Sequence, residues 1–145
     1  GYDHKSGGSG AIANVVALGG TAFTYTNDPR LMTWRGGTPT ASGSTTGGLY
    51  IAGRDHGFRL ILPADTTVRT IQIYIGGWAS TGKLTAHLSD GSNPDFIDTS
   101  LSGTAQYDGV YTLTFNAATS GQQLTLDWTQ ASSAGNVTVQ GAALH

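Results

Sequence analysis

The sequence predicts an all-β fold, an antiparallel β-sandwich of jelly-roll-like form, and three observations carry that prediction. The first is a period of two in the apolar residues. Phe58, Leu60 and Leu62 share one face of an extended segment. Ile71, Ile73 and Ile75 alternate with Thr70, Gln72 and Tyr74, and Leu84, Ala86 and Leu88 alternate with Lys83, Thr85, His87 and Ser89. Successive side chains of a strand point to opposite faces, so this rhythm marks half-buried strands. The second is the polar composition: all nine acids are Asp, none is Glu, and only Lys5 and Lys83 among the seven cations are Lys. Exposed helical faces draw on Glu and Lys; here Thr, Ser, Gly, Asn and Gln supply the polar surface, as suits strands and turns. The third is punctuation by turn residues, at Pro63-Ala64-Asp65 and at Gly76-Gly77 and Thr81-Gly82 around Trp78, with no amphipathic helical segment between them.

A chain of 145 residues suits one domain, read as 1–145, with a core large enough to need no staples. There is no cysteine, so neither disulfides nor thiolate metal sites contribute. A net charge of −2 with 11% charged residues leaves no basic field to hold a phosphate backbone, which argues against nucleic acid. No apolar run approaches the ~20 residues that span a bilayer, so membrane insertion is not expected, and no signal peptide is visible. The chain reads as a mature or excised piece with the neutral, hydroxyl-rich surface common outside the cell.

In order, residues 1–10 are loop-forming and read as a surface arm. Ile12 to Leu18 and Phe23 to Thr26 read as strands, the second stopped by Asn27-Asp28-Pro29, since Pro lacks a ladder donor. Met32 to Arg35 is a short strand or rim segment, and Thr38 to Gly48 an exposed, mobile loop. Leu49-Tyr50-Ile51 re-enters a strand, and Gly53 to Gly57 is a polar turn. After Ser89 a long acidic loop runs to Gly109. Strands follow at Tyr111 to Phe115, Leu124 to Trp128 and Val137 to Leu144, for eight to ten in all.

No residue pattern spells out a reaction. A nucleophile needs a base held by a third group, but His4 and His145 lie at the ends, His87 alternates outward on a strand, and His56 sits in a turn. Glycoside hydrolysis needs two carboxylates across a cleft; Asp65, Asp90, Asp95, Asp98 and Asp127 are more simply solvated loop residues. Asp90, Asp95 and Asp98, with Asn93, could give a structural Ca2+ several of the six to eight oxygens it takes. The spacing is not that of an EF-hand, and the simpler reading is a tight turn at Asp90-Gly91 with Asp98 capping a bend.

The aromatics are more informative. Phe58, Tyr111, Phe115 and Trp128 share register with the aliphatic residues of their strands and read as core. Trp34, Tyr50, Trp78 and Tyr107 do not. An exposed indole or phenol can stack on the apolar face of a pyranose ring while neighbouring polar groups bond its hydroxyls. Against this stands the simpler role of covering an end of the core. Arg54, Asp55 and His56 form the best polar cluster, whose simplest reading is a surface ion pair. The ligand-binding candidates are therefore Trp34, Tyr50, Arg54, His56, Trp78 and Tyr107. The sequon Asn136-Val137-Thr138 lies in a strand and is set aside.

Several stretches together resemble a β-sandwich module found in large secreted or surface bacterial proteins: HGFRLILPADTTVRTIQIYIGGW, LTAHLSDGS, YTLTFNAATSGQQLTLDWTQ and GNVTVQGAAL, with TWRGGTPT and DHKSGG upstream. Such modules look like carbohydrate-binding modules. The resemblance implies a non-catalytic, extracellular bacterial domain that binds a neutral polysaccharide, with Trp34, Trp78 and Tyr50 stacking sugars and Arg54 and His56 bonding hydroxyls. Such relatives open with a further Trp- and His-containing segment. Without it a sandwich edge would stand unpaired and could take a strand from another chain. The alternative function is therefore a subunit of a surface fibre or adhesin that associates through edge strands.

Overall fold

The computed structural model describes residues 2–6 and 11–145; the surface-arm reading of 1–10 is testable only at 2–6, the rest lying outside the described residues. Every element described is a strand. In chain order they are β1 (His4–Lys5), β2 (Val16–Leu18), β3 (Phe23–Tyr25), β4 (Met32–Arg35), β5 (Gly37–Thr38), β6 (Ser42–Thr45), β7 (Gly48–Ala52), β8 (Gly57–Ala64), β9 (Arg69–Leu88), β10 (Phe96–Asp98), β11 (Ser102–Phe115), β12 (Gln122–Gln130) and β13 (Asn136–Leu144). All pairings are antiparallel.

The twenty-residue β9 organises the molecule because it belongs to both layers. Its first half, to Trp78, lies between β11 and β13 in a sheet ordered β11-β9-β13-β7-β3. Its second half, from Gly82, lies between β12 and β10 in a sheet ordered β2-β8-β12-β9-β10. The change of sheet falls at Ala79, which adopts φ 47, a left-handed conformation uncommon for a residue with a Cβ. Ile71, Ile73 and Ile75 from one layer meet Leu62, Leu84, Leu124, Leu126 and Trp128 from the other, all buried. The period of two thus names the core correctly, and the sandwich is as expected.

Pro63 shows how local chemistry fits the topology. It lies in β8 opposite Gln123, but β2 covers β8 only from Gly57 to Arg59, so the missing N–H faces an open edge.

Three readings of the chain are corrected. Gly76-Gly77 and Thr81-Gly82 are not turns, because β9 runs through them. Their lack of a side chain answers close approach: a Cβ at Gly76 would lie 2.2 Å from the Tyr107 carbonyl oxygen, and one at Gly82 would lie 1.9 Å from the Trp128 ring. Thr38 to Gly48 is no simple loop either. Ser42–Thr45 pairs with Met32–Arg35, and Gly37–Thr38 pairs with His4–Lys5, in two small ribbons. The long acidic loop holds β10 and the start of β11, so Tyr107 is a strand residue.

Candidate functional site

The outer face of the β11-β9-β13-β7-β3 sheet carries an exposed indole. Trp78 is 53% accessible in mid-sheet, with no covering layer, a placement that calls for an explanation. Register puts Gln106 of β11 and Asn136 of β13 on either side of it, and Ala52 of β7 beyond Asn136. The next outward row reads Asp108, Gly76, Thr138, Tyr50 and Phe23, one residue from each of the five strands. Between Trp78 and Tyr50 the face therefore bears only Gly76, Asn136, Thr138 and Ala52. Gly76 and Thr138 are buried, so of this stretch it is Trp78 and Ala52 that stand exposed. Two strand spacings of ~4.8 Å and two residues at ~3.3 Å put Trp78 and Tyr50 about 12 Å apart.

Tyr50 is braced by other aromatics. The Tyr50 ring lies 5.8 Å from Phe23 and meets Tyr25 edge-on at 6.5 Å. The Tyr25 hydroxyl donates to Asp28 at 2.7 Å; burial, and then Asp28 itself, push that phenol far above its usual range. The segment after β3 lies against the same face. Arg30 donates to Gln140 at 2.6 Å and to the carbonyls of Gly109 at 2.9 Å and Ile75 at 3.2 Å, its guanidinium 5.5 Å from the Tyr74 ring centre.

Asp108 lies beside Arg30. Burial holds its carboxyl above the usual carboxylate range, the charge of Asp28 pushes the same way, and Arg30 at 3.9 Å opposes them. Its Oδ1 is buried without a hydrogen-bond partner among the described residues. The Asn136 side-chain oxygen is also without a partner among the described residues.

Of the six ligand-binding candidates, the structure brings Trp78 and Tyr50 together. Tyr107 is half-buried and packed against the core, its hydroxyl 2.8 Å from Ser80. Arg54 and His56 lie in the turn after β7, both held by backbone: Arg54 donates to the Ala131 carbonyl at 2.9 Å and His56 Nδ1 to the Ala52 carbonyl at 2.8 Å. Trp34 belongs to the β4-β6 ribbon, where its ring lies over Gly37 and Gly43 and its N–H donates to the Thr40 carbonyl at 3.1 Å. A shallow cleft of about 540 Å³ beside it is lined by Thr33, Arg35, Ser42 and Ser44.

No protein-family model matches the sequence, and no curated protein matches it. Solved structures do resemble it. The enzymatically active domain of tailspike protein 4 from bacteriophage CBA120 matches 96% of this chain with a TM-score of 0.57 at 11% identity, the match spanning 20% of the tailspike chain. The CBM22-1 xylan-binding domain of Paenibacillus barcinonensis Xyn10C matches 99% of this chain and 92% of its own length, with a TM-score of 0.52 at 15% identity. The fold is a carbohydrate-binding-module-like β-sandwich. At such identities the likeness is one of architecture, and function has to be argued from the site.

The metal expectation is corrected. Asp90 accepts from the backbone N–H groups of Ser92 and Ala118, Asp95 pairs with His87 at 2.7 Å, and Asp98 accepts from Ser100 and the Tyr111 hydroxyl. Each carboxylate serves its own loop, and among the described residues no three potential ligands gather. The Asp98–Tyr111 bond pulls the Asp98 carboxyl below its usual range, with Ser100 helping.

Sequence reasoning missed Gln106, Asn136, Thr138 and Phe23, because their place beside Trp78 or Tyr50 is set by pairing between distant strands. A signal was available only for Asn136-Val137-Thr138, where two polar residues flank a buried Val137 on a strand.

Proposed function

We propose that this chain is a single non-catalytic module of a secreted or cell-surface bacterial protein, and that it binds a neutral polysaccharide on the outer face of the β11-β9-β13-β7-β3 sheet. The observation that carries the reading is Trp78, an uncovered indole flanked across the sheet by Gln106 and Asn136. A ring face supplies apolar stacking, and neighbouring polar groups pair with sugar hydroxyls. Charge supports a neutral ligand: the charged groups of this face, Asp28, Arg30 and Asp108, are tied to one another. The non-catalytic reading is supported by the aspartates weighed for acid–base chemistry. Asp65 pairs with Arg69, at the start of β9, at 3.0 Å, and Asp127 with Arg59 at 2.7 Å in the other sheet.

Electrophoresis of the protein through gels containing xylan, β-glucan or mannan tests the proposal. Retardation by at least one of them is expected; unchanged mobility in all three contradicts it.

One observation favours the second reading, self-association. The fourteen-residue β11 pairs only with β9 among the described strands, which leaves a long row of backbone groups open on its other side. Light scattering after gel filtration decides: a dimer or larger species disrupted by Thr112→Pro supports edge pairing, and a monomer at high concentration rejects it.

A further inference from the structure

One side of the sandwich is open in both layers. β11 ends one sheet and β10 the other, and the Tyr111 hydroxyl of β11 donates to Asp98 of β10, so the two edges lie one above the other. Phe96, Ile97 and Val110 stand exposed there. Native edges are blunted by brevity, charge, proline or a bulge. β2, β3 and β10 have three residues each, and Pro63 lies where β2 leaves β8 bare. β11 has fourteen, and its bulge between Gly103 and Gln106 disturbs only its start. From Gly109 to Phe115, GVYTLTF, it carries no charge, no proline and no bulge. Among the described residues, no side chain or loop bonds a backbone group of Val110 to Thr114.

The segment is complementary to itself. Two copies related by a two-fold axis pair antiparallel, and inward and outward residues keep to their own faces only when the axis passes through a residue. With the axis at Thr112, Val110 lies opposite Thr114 of the second copy, and the two Thr112 side chains meet. The outward row is then entirely β-branched, and a central Thr–Thr pair is a favourable cross-strand contact. On the inward face Tyr111 lies opposite Leu113 of the second copy, and Gly109 leaves room for its Phe115. Tyr111 and Leu113 face the core yet are only half-buried, the shortfall that a missing neighbour strand leaves. Asp108, the one charged residue of β11, falls outside these seven and lies 3.9 Å from Arg30, so no like charges are set opposite each other.

Resting on the edge-pairing reading above, we infer that the partner of β11 is a second copy of this chain, joined antiparallel about a two-fold axis at Thr112. The two five-stranded sheets become one continuous sheet. The axis stands perpendicular to it, so both outer faces look the same way and neither Trp78 is covered. Trp78 lies across from Gln106, six residues before Thr112, which puts the two indoles about 40 Å apart.

Disulfide trapping tests this, because the chain has no cysteine of its own. Val110, Thr112 and Thr114 are exposed, so a thiol at each leaves the core intact, and melting temperatures verify folding. Only residues directly opposite each other bring their Cβ atoms close to the ~4 Å that a disulfide needs. Oxidised Thr112→Cys should therefore cross-link to itself, whereas Val110→Cys and Thr114→Cys should cross-link only when mixed. On a non-reducing denaturing gel the dimer fraction of Thr112→Cys should exceed that of either other variant alone roughly tenfold, and the equimolar mixture roughly fivefold, since half its pairs match. A dimer in light scattering whose thiols cross-link no better at Thr112 than at Val110 or Thr114 overturns the axis at Thr112, while edge association in another register stands. A monomer at high concentration, with no cross-linking at any position, overturns edge pairing and this inference with it.

Discussion

The indole N–H of Trp128 donates to the carbonyl of Gly76 at 3.0 Å across the sandwich. Trp128 belongs to one sheet and Gly76 to the other, so a buried core side chain is bonded to the backbone two residues before Trp78. Position 76 is thereby fixed on one side by Trp128, while the Tyr107 carbonyl, the Asp108 carboxyl and the Thr138 hydroxyl fill the space a side chain would take.

Trp128→Phe should therefore cost about 2–4 kcal/mol, from the volume lost in a buried site and a carbonyl left without its donor. Urea unfolding monitored by circular dichroism measures it. A loss below about 0.5 kcal/mol would mean that the inter-sheet bond contributes nothing.

Gly82→Ala should destabilise by about 1–3 kcal/mol, because its new methyl would lie 1.9 Å from the Trp128 ring and the core would have to shift. A neutral result would indicate that Gly82 is the turn the sequence suggests. The same unfolding experiment distinguishes the two.

Asp108 makes stability depend on pH in a definite direction. Its folded carboxyl titrates above the ordinary value of about 3.9, chiefly through burial and then through Asp28. This contribution is complete below the unfolded value and is lost as pH rises through the folded one. Asp108→Asn, whose amide can donate to Asp28 at any pH, should abolish that loss. Melting temperatures of the two proteins should diverge in favour of the variant as pH increases from about 4. Asp98 acts in the opposite sense: its folded value is lowered by Tyr111 and Ser100, so its contribution is present above the unfolded value and disappears as pH falls through the folded one. Asp98→Asn should flatten the acid limb of the same profile. Parallel profiles for wild type and both variants would contradict these assignments.

Millimolar calcium should leave the melting temperature unchanged, because Asp90, Asp95 and Asp98 each hold a different local partner. A rise with calcium that EDTA reverses would show that the loop rearranges to gather them.

The sequence disclosed what depends on neighbours along one strand and hid what depends on neighbours across strands. Ile71, Ile73 and Ile75 were legible as core because burial follows the two-residue period. Gly76-Gly77 was not legible as strand, since a glycine accommodating a neighbouring backbone has the same letter as one making a turn, and the Tyr107 carbonyl that crowds it lies thirty-one positions away. Trp78 stood out because a large ring beside two glycines is conspicuous, and it is exposed in the fold. Its flanking amides, Gln106 and Asn136, come from strands whose register only the folded chain sets. Nothing local shows that the Tyr107 hydroxyl meets Ser80, for the same reason. Arg54 and His56 looked free in a polar turn, yet carbonyls of Ala131 and Ala52 occupy them.

The most direct test of the account is the migration of Trp78→Ala beside the wild-type chain in the polysaccharide gel that retards the wild type most. Because Trp78 is exposed, the substitution should alter folding stability by no more than about 0.5 kcal/mol while weakening binding by about thirtyfold or more, so the variant should run as in a gel without polysaccharide. A folded Trp78→Ala protein retarded as strongly as wild type, or a wild type retarded by none of the polysaccharides, would contradict the claim that this indole is the centre of a sugar-binding face.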